Sequence, residues 1–513
     1  MTTMTIKEIN DWIKAAAPDA QLASDSRRIK AGDVFFAYPG DANDGRKYIG
    51  AAIEAGAAAV VYDGAGYEWD AAHDVPRLAV DGLKRLAGPI AHAHYGMPDS
   101  GMFTVGVTGT NGKTSCAVWT AQALAKLGET AAVVGTLGVG MFRARVEAEF
   151  DETGYTTPDA VLLARKLDEM RRDGAAALAI EASSIGLDQG RTDGMHFDVA
   201  IFTNLTRDHL DYHGTMEAYE AAKIKLFEWP GLKTAVINLD DPAGPRIIKH
   251  IQGRKGPKPH VIAYTLRDVA SQPNIPGIQM MRASALRSRG QGTEFNLDSS
   301  FGHAHVRTQL VGPFNVSNAL AVMAALLSKG AAFRAAVDAI ESLTPAPGRM
   351  QQLGGQDAPL IVIDYAHTPD ALEKTLEALR SVANDRNGHL WCVFGCGGDR
   401  DPGKRPQMGR ISQMAEHVLV TSDNPRSEEP AEIIRQIVAG MDPENPNSEF
   451  LTVEDRAAAI LSAVRHAGKS DVILLAGKGH EPYQEIKGRK MPFSDAEHAQ
   501  LALSARLTMM RQN

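Results

Sequence analysis

The sequence predicts an α/β protein of three domains, in which the central domain is built on a parallel sheet and the last domain is doubly wound. The chain has 513 residues, and at roughly 100–200 residues per domain this length suggests about three domains. Strand-like apolar runs alternate with helical stretches from residue 102 onwards, which is typical of βαβ units. A Pro-rich stretch, TPAPGR (344–349), separates two such series. We therefore place the domains at residues 1–100, 101–345 and 346–513.

The first and last domains are predicted from their short apolar runs. In the small α/β N-terminal domain, the strand-like runs 33–40 and 57–63 flank a helix that ends at Gly56. In the C-terminal domain strands and helices alternate regularly, which predicts a Rossmann-like, doubly wound sheet. Its strands are 361–367, 390–397, 417–423 and 472–479, and its helices are 369–383, 428–440 and 455–468.

The central domain shows the same alternation around a longer irregular segment. A helix is predicted over 114–128, and a second over 158–174 with Thr157 as its N-cap and Pro158 in its first turn. Residues 265–310 are rich in Pro, Gly and Ser, and are predicted to form a strand-and-loop insertion.

Composition and charge exclude several classes of protein. The net charge of -8 and the lack of a long basic run argue against a nucleic-acid partner. The N-terminus has no apolar signal core, and no stretch approaches the roughly 20 apolar residues of a membrane span, so we expect a cytoplasmic protein. Three cysteines are too few for a disulfide framework, and we expect buried thiols at Cys116, Cys392 and Cys396.

A phosphate-binding loop is predicted at GVTGTNGKTS (106–115), between a strand and a helix. Glycines let backbone N–H groups approach phosphate oxygens, and the helix N-terminus adds partial positive charge. Lys113 can neutralise the β- and γ-phosphates, and the Thr114 hydroxyl can bind Mg²⁺. Val107 stands where the strict Walker pattern requires glycine. The alternative is an ordinary glycine-rich turn.

Carboxylates and imidazoles follow two later strands of the same domain. Glu181 ends one predicted strand, and the polar loop after the next strand holds Asp208, His209, Asp211 and His213. Such side chains suit a divalent ion beside a nucleotide. The alternatives are a structural acid and solvated histidines.

Ten motifs, which include those above, occur in order between DSR (25–27) and residue 481: GTNGKT, EASS, TNLTRDHLDYHG, AAK, GPFNVSNALA, PGRMQ, DYAHTPDAL, GCGGDRDPGKRP, DNPR and GKGHE. Together they resemble the Mur ligases and, within them, the UDP-N-acetylmuramoyl-tripeptide synthetases. The resemblance implies a central P-loop ATPase domain and an ATP- and Mg²⁺-dependent amide ligase of peptidoglycan precursor synthesis. Such an enzyme phosphorylates the D-glutamate carboxylate of UDP-N-acetylmuramoyl-L-Ala-D-Glu and joins meso-diaminopimelate to the acyl phosphate. We expect a monomer that acts on these small molecules.

The resemblance also implies site residues, each carried over by its motif. For catalysis these are Lys113, Glu181, His209 and Lys223, and for the metal Thr114, Glu181, His209 and Lys223 as a carbamate. Composition alone predicts a surface lysine at position 223. The implied nucleotide contacts are Gly109, Thr110, Asn111, Gly112, Lys113, Thr114, Ser115, Asn318, Arg349 and Asp364. The implied UDP-substrate contacts are Ser26, Thr156, Thr157, Ser183, Gln189 and Arg191, and the amino-acid contacts are Arg400, Asp423, Asn424, Arg426, Gly477 and Glu481.

The DNPR motif (423–426) resembles that of the diaminopimelate-adding type. A guanidinium at Arg426 can bind the distal carboxylate that lysine lacks, and Glu481 can pair with the distal ammonium. The alternative for the motif is an Asx-type turn. Ile185 stands where many relatives have histidine, and residues 244–310 align least. The competing functions are a lysine-adding, D-Ala-D-Ala-adding, folylpolyglutamate or cyanophycin-type ligase, a small-metabolite kinase, and an inactive nucleotide-binding regulatory module.

Overall fold

A computed structural model describes residues 4–40, 43–144, 148–267, 277–289 and 292–512. The chain divides into two compact units, Met1–Ile262 with Ser328–Gly330, and Ala263–Leu327 with Ala331–Asn513. Both units combine helices with a sheet of mainly parallel strands, so the predicted α/β class is confirmed. The domain boundaries near residues 100 and 345 stay predictions.

The first unit begins with a four-stranded parallel sheet in the order β1-β2-β3-β4. The first helix of this unit begins at a capping box, in which the side chains of Thr5 and Glu8 each accept a hydrogen bond from the other residue's backbone N–H. Ile9 and Ile13 then fall on the buried face of that helix. The elements are α1 (Ile6–Ala16), β1 (Leu22–Ala23), β2 (Val34–Ala37), α2 (Ile49–Glu54), β3 (Ala59–Tyr62), β4 (Arg77–Ala79) and α3 (Leu83–His94).

A second sheet in this unit has the strand order β11-β10-β5-β9-β6-β7-β8. β5 lies between β10 and β9 and is parallel to both, so the carboxyl ends of these three strands share one edge. The strands are β5 (Phe103–Thr108), β6 (Ala131–Gly135), β7 (Gly138–Phe142), β8 (Phe150–Asp151), β9 (Ala177–Glu181), β10 (Val199–Phe202) and β11 (Thr234–Asn238). The helices are α4 (Lys113–Lys126), α5 (Ala160–Arg172), α6 (Ser184–Asp188), α7 (Leu210–His213), α8 (Met216–Ile224) and α9 (Ala243–Gly253).

The predicted N-cap of α5 is wrong by two residues. The side chain of Asp159 accepts hydrogen bonds from the backbone N–H groups of Val161 and Leu162, which makes it the cap. The Thr157 hydroxyl instead donates to the carbonyl oxygen of Glu181. Pro158 consequently precedes the cap.

The second unit contains an antiparallel meander, a six-stranded sheet and a hairpin. β12 (His260–Thr265) crosses the point in the chain where this unit begins. The meander is β13 (Gln279–Arg289), β14 (Gly292–Ser299) and β15 (Gly302–Thr308), which agrees with the predicted insertion over the part of 265–310 that the structure describes. Two helices follow it, α10 (Pro313–Lys329) and α11 (Phe333–Glu341).

The six-stranded sheet has the order β16-β17-β21-β18-β19-β20, in which only β16 is antiparallel to its neighbour. The predicted alternation of strands and helices over 361–479 is therefore confirmed. Its strands are β16 (Gln351–Gly354), β17 (Leu360–Asp364), β18 (Leu390–Phe394), β19 (His417–Val420), β20 (Glu449–Thr452) and β21 (Val472–Ala476), and the hairpin is β22 (Tyr483–Ile486) with β23 (Arg489–Pro492). The helices are α12 (Pro369–Asp385), α13 (Lys404–Ser412), α14 (Pro430–Val438), α15 (Arg456–His466) and α16 (Asp495–Gln512).

Two expectations from composition can be compared with the structure. Cys116, Cys392 and Cys396 are all buried free thiols, as predicted. Among the described residues, no helix is long and apolar enough to span a membrane.

Candidate active site

The glycine-rich loop between β5 and α4 has the backbone of an anion-binding turn. Gly109 has φ +149° and Gly112, which precedes the first residue of α4, has φ +85°. A Cβ atom at Gly109 would lie 1.8 Å from Oγ1 of Thr203, so only glycine fits. Thr114 and Ser115 are buried in the first turn of α4, where the free N–H groups and the helix dipole favour a phosphate.

The loop is fixed by the segment that follows β10. The hydroxyl of Thr203 donates to the carbonyl oxygen of Asn111 at 2.6 Å, and the backbone N–H of Asn111 donates to Oδ1 of Asn204 at 2.8 Å. Oγ1 of Thr110 accepts from the backbone N–H of Thr206 at 3.0 Å. Sequence reasoning did not select these three partners. Their position directly after a strand parallel to β5 was the available signal.

Two lysines donate to one carbonyl oxygen of this loop. Nζ of Lys113 lies 2.9 Å from the oxygen of Gly109 and 2.8 Å from that of Thr110, and Nζ of Lys223 lies 2.9 Å from the oxygen of Gly109. Lys223 is 1% exposed, and its Nζ lies 4.2 Å from the centre of the Tyr219 ring. Burial, together with the charge of Lys113, lowers the pKa of Lys223 well below its ordinary value. The surface position predicted from composition is therefore wrong.

Glu181 lies at the carboxyl end of β9 and is held by one residue of the neighbouring strand end. Its Oε1 accepts the backbone N–H of Thr136 at 2.8 Å, and its Oε2 accepts the Thr136 hydroxyl at 3.2 Å. A Cβ at Gly135 would lie 2.1 Å from Oε1, so this carboxylate needs a glycine beside it. The side chain is 2% exposed, and its position is consequently well defined.

The acidic and histidine side chains of the loop after β10 do not form a metal-binding cluster. His209 has φ +53°, and its backbone N–H donates to Oδ1 of Asp208 at 2.9 Å. Partial burial lowers the pKa of its imidazole, and the nearby charge of Lys113 acts in the same direction. His213 is 3.0 Å from the Ser184 hydroxyl. Across the described ranges, no group of three or more His, Cys, Asp or Glu side chains is placed to hold a metal ion.

Most of the predicted UDP-substrate residues form one network. The Thr157 hydroxyl lies 2.9 Å from that of Ser183. Nη1 of Arg191 donates to the carbonyl oxygen of Thr157 at 2.9 Å, and its Nε donates to Oε1 of Gln189 at 2.8 Å. The guanidinium also lies 4.8 Å from the centre of the exposed Tyr155 ring. Arg191 is thus a fixed part of the network rather than a free surface charge.

This network reaches Glu181 through two threonines. The Thr156 hydroxyl is 3.1 Å from that of Thr136, which in turn donates to the carboxylate of Glu181. Ser26 opens a short 3₁₀ turn after β1. Two residues earlier, the Ser24 hydroxyl donates to Oδ1 of Asp159 at 2.6 Å, so the segment before this turn is hydrogen-bonded to the start of α5.

The predicted nucleotide contacts beyond the loop lie in the second unit. Asn318 is buried on α10. The Arg349 guanidinium lies 4.5 Å from the centre of the Tyr365 ring. Asp364 ends β17, and its Oδ2 accepts the backbone N–H of Met350 at 2.8 Å. Burial raises the pKa of Asp364, although the nearby Arg349 opposes this.

The loop 423–426 is fixed against the loop 477–481. Nδ2 of Asn424 donates to Oε2 of Glu481 at 2.8 Å, and a Cβ at Gly477 would lie 2.7 Å from Oδ2 of Asp423. These contacts span more than 50 residues of chain, whereas an Asx turn uses the neighbouring backbone. The structure thus brings four predicted amino-acid contacts together.

The two predicted arginines lie beside this pair of loops. Arg426 has φ +51°, and its Nη1 donates to the carbonyl oxygen of Gly398 at 2.7 Å. Its Nε is 3.3 Å from Oε2 of Glu485, so the guanidinium is already oriented. Arg400 is exposed in the loop that contains Gly398.

Three family profiles match the chain. They are described as Mur ligase family, catalytic domain (residues 20–95), Mur ligase middle domain (107–326) and Mur ligase, glutamate ligase domain (348–479).

Similar proteins are found in several bacteria. A protein of Janthinobacterium sp. (strain Marseille) is 62% identical over 99% of this chain and 98% of its own length, and one of Pseudomonas aeruginosa is 46% identical over 94% and 95%. Both carry the name UDP-N-acetylmuramoyl-L-alanyl-D-glutamate--2,6-diaminopimelate ligase.

A solved structure with the same name is 35% identical, with a TM-score of 0.64 over 95% of both chains. The MurF ligase of Thermotoga maritima in complex with ADP is 17% identical, with a TM-score of 0.67 over 98% of this chain and 99% of its own, and shares the fold.

Proposed function

The chain belongs to the Mur ligase family, and from this premise we propose that it adds meso-diaminopimelate to the D-glutamate of UDP-N-acetylmuramoyl-L-Ala-D-Glu in an ATP-dependent reaction. The observation that carries the proposal is the pair of loops 423–426 and 477–481, in which an oriented arginine lies beside a fixed carboxylate. The high identity to ligases of that name over nearly the whole chain supports the same reaction.

The reaction proceeds in two steps whose atoms balance. The substrate carboxylate attacks the γ-phosphorus of ATP, so that an O–P bond forms, the bond to the β-phosphate oxygen breaks and ADP leaves. The neutral amine of the amino acid then attacks the acyl carbon, a C–N bond forms, and phosphate and a proton leave. Lys113 and the N-terminus of α4 bind the phosphates and offset the repulsion between the two anions.

Mg²⁺ is the metal that the donor set fits. We propose Thr114, Glu181 and His209 as its ligands, directly or through water, because these oxygen and nitrogen donors follow the carboxyl ends of adjacent strands. The ion would supply positive charge to the transferring phosphoryl group. Glu181 is already held rigidly by Thr136, so its carboxylate needs little rearrangement.

Lys223 is proposed to carry a carbamate. Its lowered pKa favours the neutral amine, and a neutral amine can form an N–C bond to CO₂ with loss of a proton. The product places an anion on a side chain that was a neutral amine, and its Nζ lies 2.9 Å from the loop carbonyl oxygen that Lys113 also contacts. The carbamate would then offer a ligand for a second Mg²⁺, where the unmodified side chain supplies none.

The remaining predicted residues take their roles from the same premise. We propose Asn318, Arg349 and Asp364, with residues 109–115, as nucleotide contacts. The network of Thr156, Thr157, Ser183, Gln189 and Arg191, with Ser26, is proposed to bind the UDP-linked dipeptide. We also propose a monomer that works in the cytoplasm, where ATP and the nucleotide-linked substrate are available, with domain boundaries near residues 100 and 345.

Selectivity for diaminopimelate is assigned to Arg426. With lysine as substrate, the guanidinium would keep Glu485 but lack the charge-assisted bond to a distal carboxylate, at a cost of roughly 1.5–3 kcal/mol, or about 10–150-fold. Arg400 and Asn424 lie in the same group of loops and are proposed to assist.

The test measures phosphate release from ATP and Mg²⁺ with UDP-N-acetylmuramoyl-L-Ala-D-Glu, comparing meso-diaminopimelate, L-lysine and no amine. We expect release that requires diaminopimelate, and we expect Arg426→Ala to lower kcat/KM for diaminopimelate by about 10–150-fold while leaving the low rate with lysine unchanged. Release with lysine at an equal rate would overturn the selectivity assignment. No release with any amine would overturn the proposed reaction and favour another ligase of the family or a regulatory module.

A further inference from the structure

A fully buried lysine of the loop 477–481 contacts the loop 423–426, and sequence reasoning did not select it. Lys478 is 0% exposed, and its Nζ donates to Oδ1 of Asn424 and to Oε2 of Glu481, both at 3.1 Å. Oδ1 of Asp423 lies 3.6 Å from the same nitrogen. One ammonium thus contacts both loops that are proposed to bind the amino acid.

These contacts give the Asn424 amide a single orientation. Its Oδ1 accepts from Lys478 and from the backbone N–H of Glu485 at 2.9 Å, while its Nδ2 donates to Glu481. A flipped amide would direct its NH₂ group at two donors and its oxygen at a carboxylate. Lys478, Asn424 and Glu481 therefore form a closed ring of hydrogen bonds that permits one arrangement.

The net charge of this cluster is negative, so one more cation would neutralise it. Asp423 and Glu481 contribute two carboxylates, and Lys478 supplies one ammonium, so the group has a net charge of about -1 when all three are ionised. Among the described residues, both side-chain donors to Glu481 use Oε2, and Oε1 keeps its acceptor capacity. An ammonium group of the amino-acid substrate has the charge and the donors that complete the cluster.

A buried ion pair, Arg456 with Asp495, contacts the backbone just before each of the two loops. Nη2 of Arg456 donates to the carbonyl oxygen of Ala476 at 3.0 Å, and its Nη1 lies 3.5 Å from that of Ser422. These two residues directly precede the loops 477–481 and 423–426. Asp495 pairs with Arg456 and neutralises it, so the net charge of the cluster is unchanged.

We propose that Lys478 is a positioning residue for the amino-acid substrate. It acts through Asn424 and Glu481, which it holds in the geometry that receives the distal ammonium, and it does not itself touch the substrate. The inference rests on the proposed function and deepens it. Because lysine and diaminopimelate share that ammonium, Lys478 governs the binding of both, whereas Arg426 governs the choice between them.

The test compares steady-state kinetics of the full chain, Lys478→Met and Lys478→Arg. We expect Lys478→Met to raise KM for meso-diaminopimelate by about 10–100-fold, with KM for ATP and for the UDP-linked dipeptide within about twofold of the parent. Lys478→Arg keeps the charge and displaces the donor, and we expect it to recover part of the loss. This second variant carries the test if Lys478→Met fails to fold.

The matched control is Arg386→Met, because Arg386 binds backbone carbonyl groups of Gly355 and Ser470 in the same unit. It should lower the melting temperature and leave all three KM values unchanged. An unchanged KM for diaminopimelate in the folded Lys478 variants, or an equal rise in the control, would overturn the positioning role alone. A parent protein without amine-dependent phosphate release would overturn the proposed function and this inference with it.

Discussion

Lys113 and Lys223 share one acceptor, the carbonyl oxygen of Gly109. Two ammonium groups at this spacing repel each other, and the buried one has no water to screen its charge. Lys223 is consequently the group whose pKa lies well below its ordinary value. The lowered pKa favours the neutral amine, which is the form that reacts with CO₂ in the proposed modification.

At this scale we predict the effect of removing Lys223. Lys223→Ala should lower kcat by about 10²–10³-fold, since it removes one electrostatic stabiliser of the phosphoryl group. Formate or acetate should restore part of the activity by occupying the vacated volume as an anion. The measurement is the rate of phosphate release with and without each carboxylate.

The control for this prediction is Lys249→Ala, which removes an exposed lysine of the same unit. It should keep the parent rate and show no response to carboxylates. A Lys223→Ala protein with the parent kcat would contradict the carbamate role.

At the scale of elements, the ends of strands and the starts of helices position the proposed site. The carboxyl ends of β5, β9 and β10 place the phosphate loop, Glu181 and the Thr203–Thr206 segment along one edge. In the second unit, α15 begins at Arg456 and α16 begins at Asp495. Their side chains form a bidentate pair at 2.7 Å, and both are 0% exposed.

We predict that this pair is required for the stability of the second unit. Arg456→Met should lower the free energy of unfolding by about 3–5 kcal/mol, because it leaves the Asp495 carboxylate buried without a partner. The surface pair Arg334–Asp338, which is 71% and 52% exposed, is the matched control. Arg334→Met should change stability by at most about 0.5 kcal/mol. Calorimetry compares the two variants, and equal shifts would contradict the prediction.

At the scale of the whole molecule, an ion-pair chain links helix α3 to the segment before β10 in the first unit. His196 lies 3.0 Å from Asp99, in the turn between α3 and β5, and 3.4 Å from Asp198, which precedes β10. Hydrogen bonds that the His196 imidazolium donates to these carboxylates, first Asp198 and then Asp99, raise the pKa of His196 to about 10. His92 and Lys233 face the same carboxylates.

This arrangement predicts how stability depends on pH. Because the pKa is higher in the folded state than the ordinary value of about 6.5, the stabilisation is complete below pH 6.5 and is lost as the pH rises towards about 10. The difference in melting temperature between the parent and His196→Gln should therefore shrink from about pH 6 to pH 10. The control is His303→Gln, which changes an exposed side chain of β15. The difference in melting temperature between the parent and this variant should stay small at every pH. If the difference in melting temperature between the parent and His196→Gln grew as the pH rose, the raised pKa of His196 would be contradicted.

The sequence alone determined the α/β class, the alternating elements of the C-terminal sheet and the phosphate loop. These features depend on local patterns, since a strand needs a run of apolar residues and a tight turn needs glycine at fixed positions. The same local reasoning misplaced the cap of α5. Thr157 and Asp159 are both good caps, and the choice was made by Glu181, whose carbonyl oxygen accepts the Thr157 hydroxyl across 24 residues of chain.

Only the tertiary structure decided which charged groups are buried and which of them meet. Composition predicts a surface lysine at position 223, and Lys478 was not selected from the sequence. Both are buried, and each donates to a residue more than 50 positions away, Gly109 for the first and Asn424 for the second. The Thr203–Thr206 segment gained its role only through the pairing of β10 with β5. The physical reason is that burial and electrostatic pairing depend on distances in space, which a pattern along the chain does not contain.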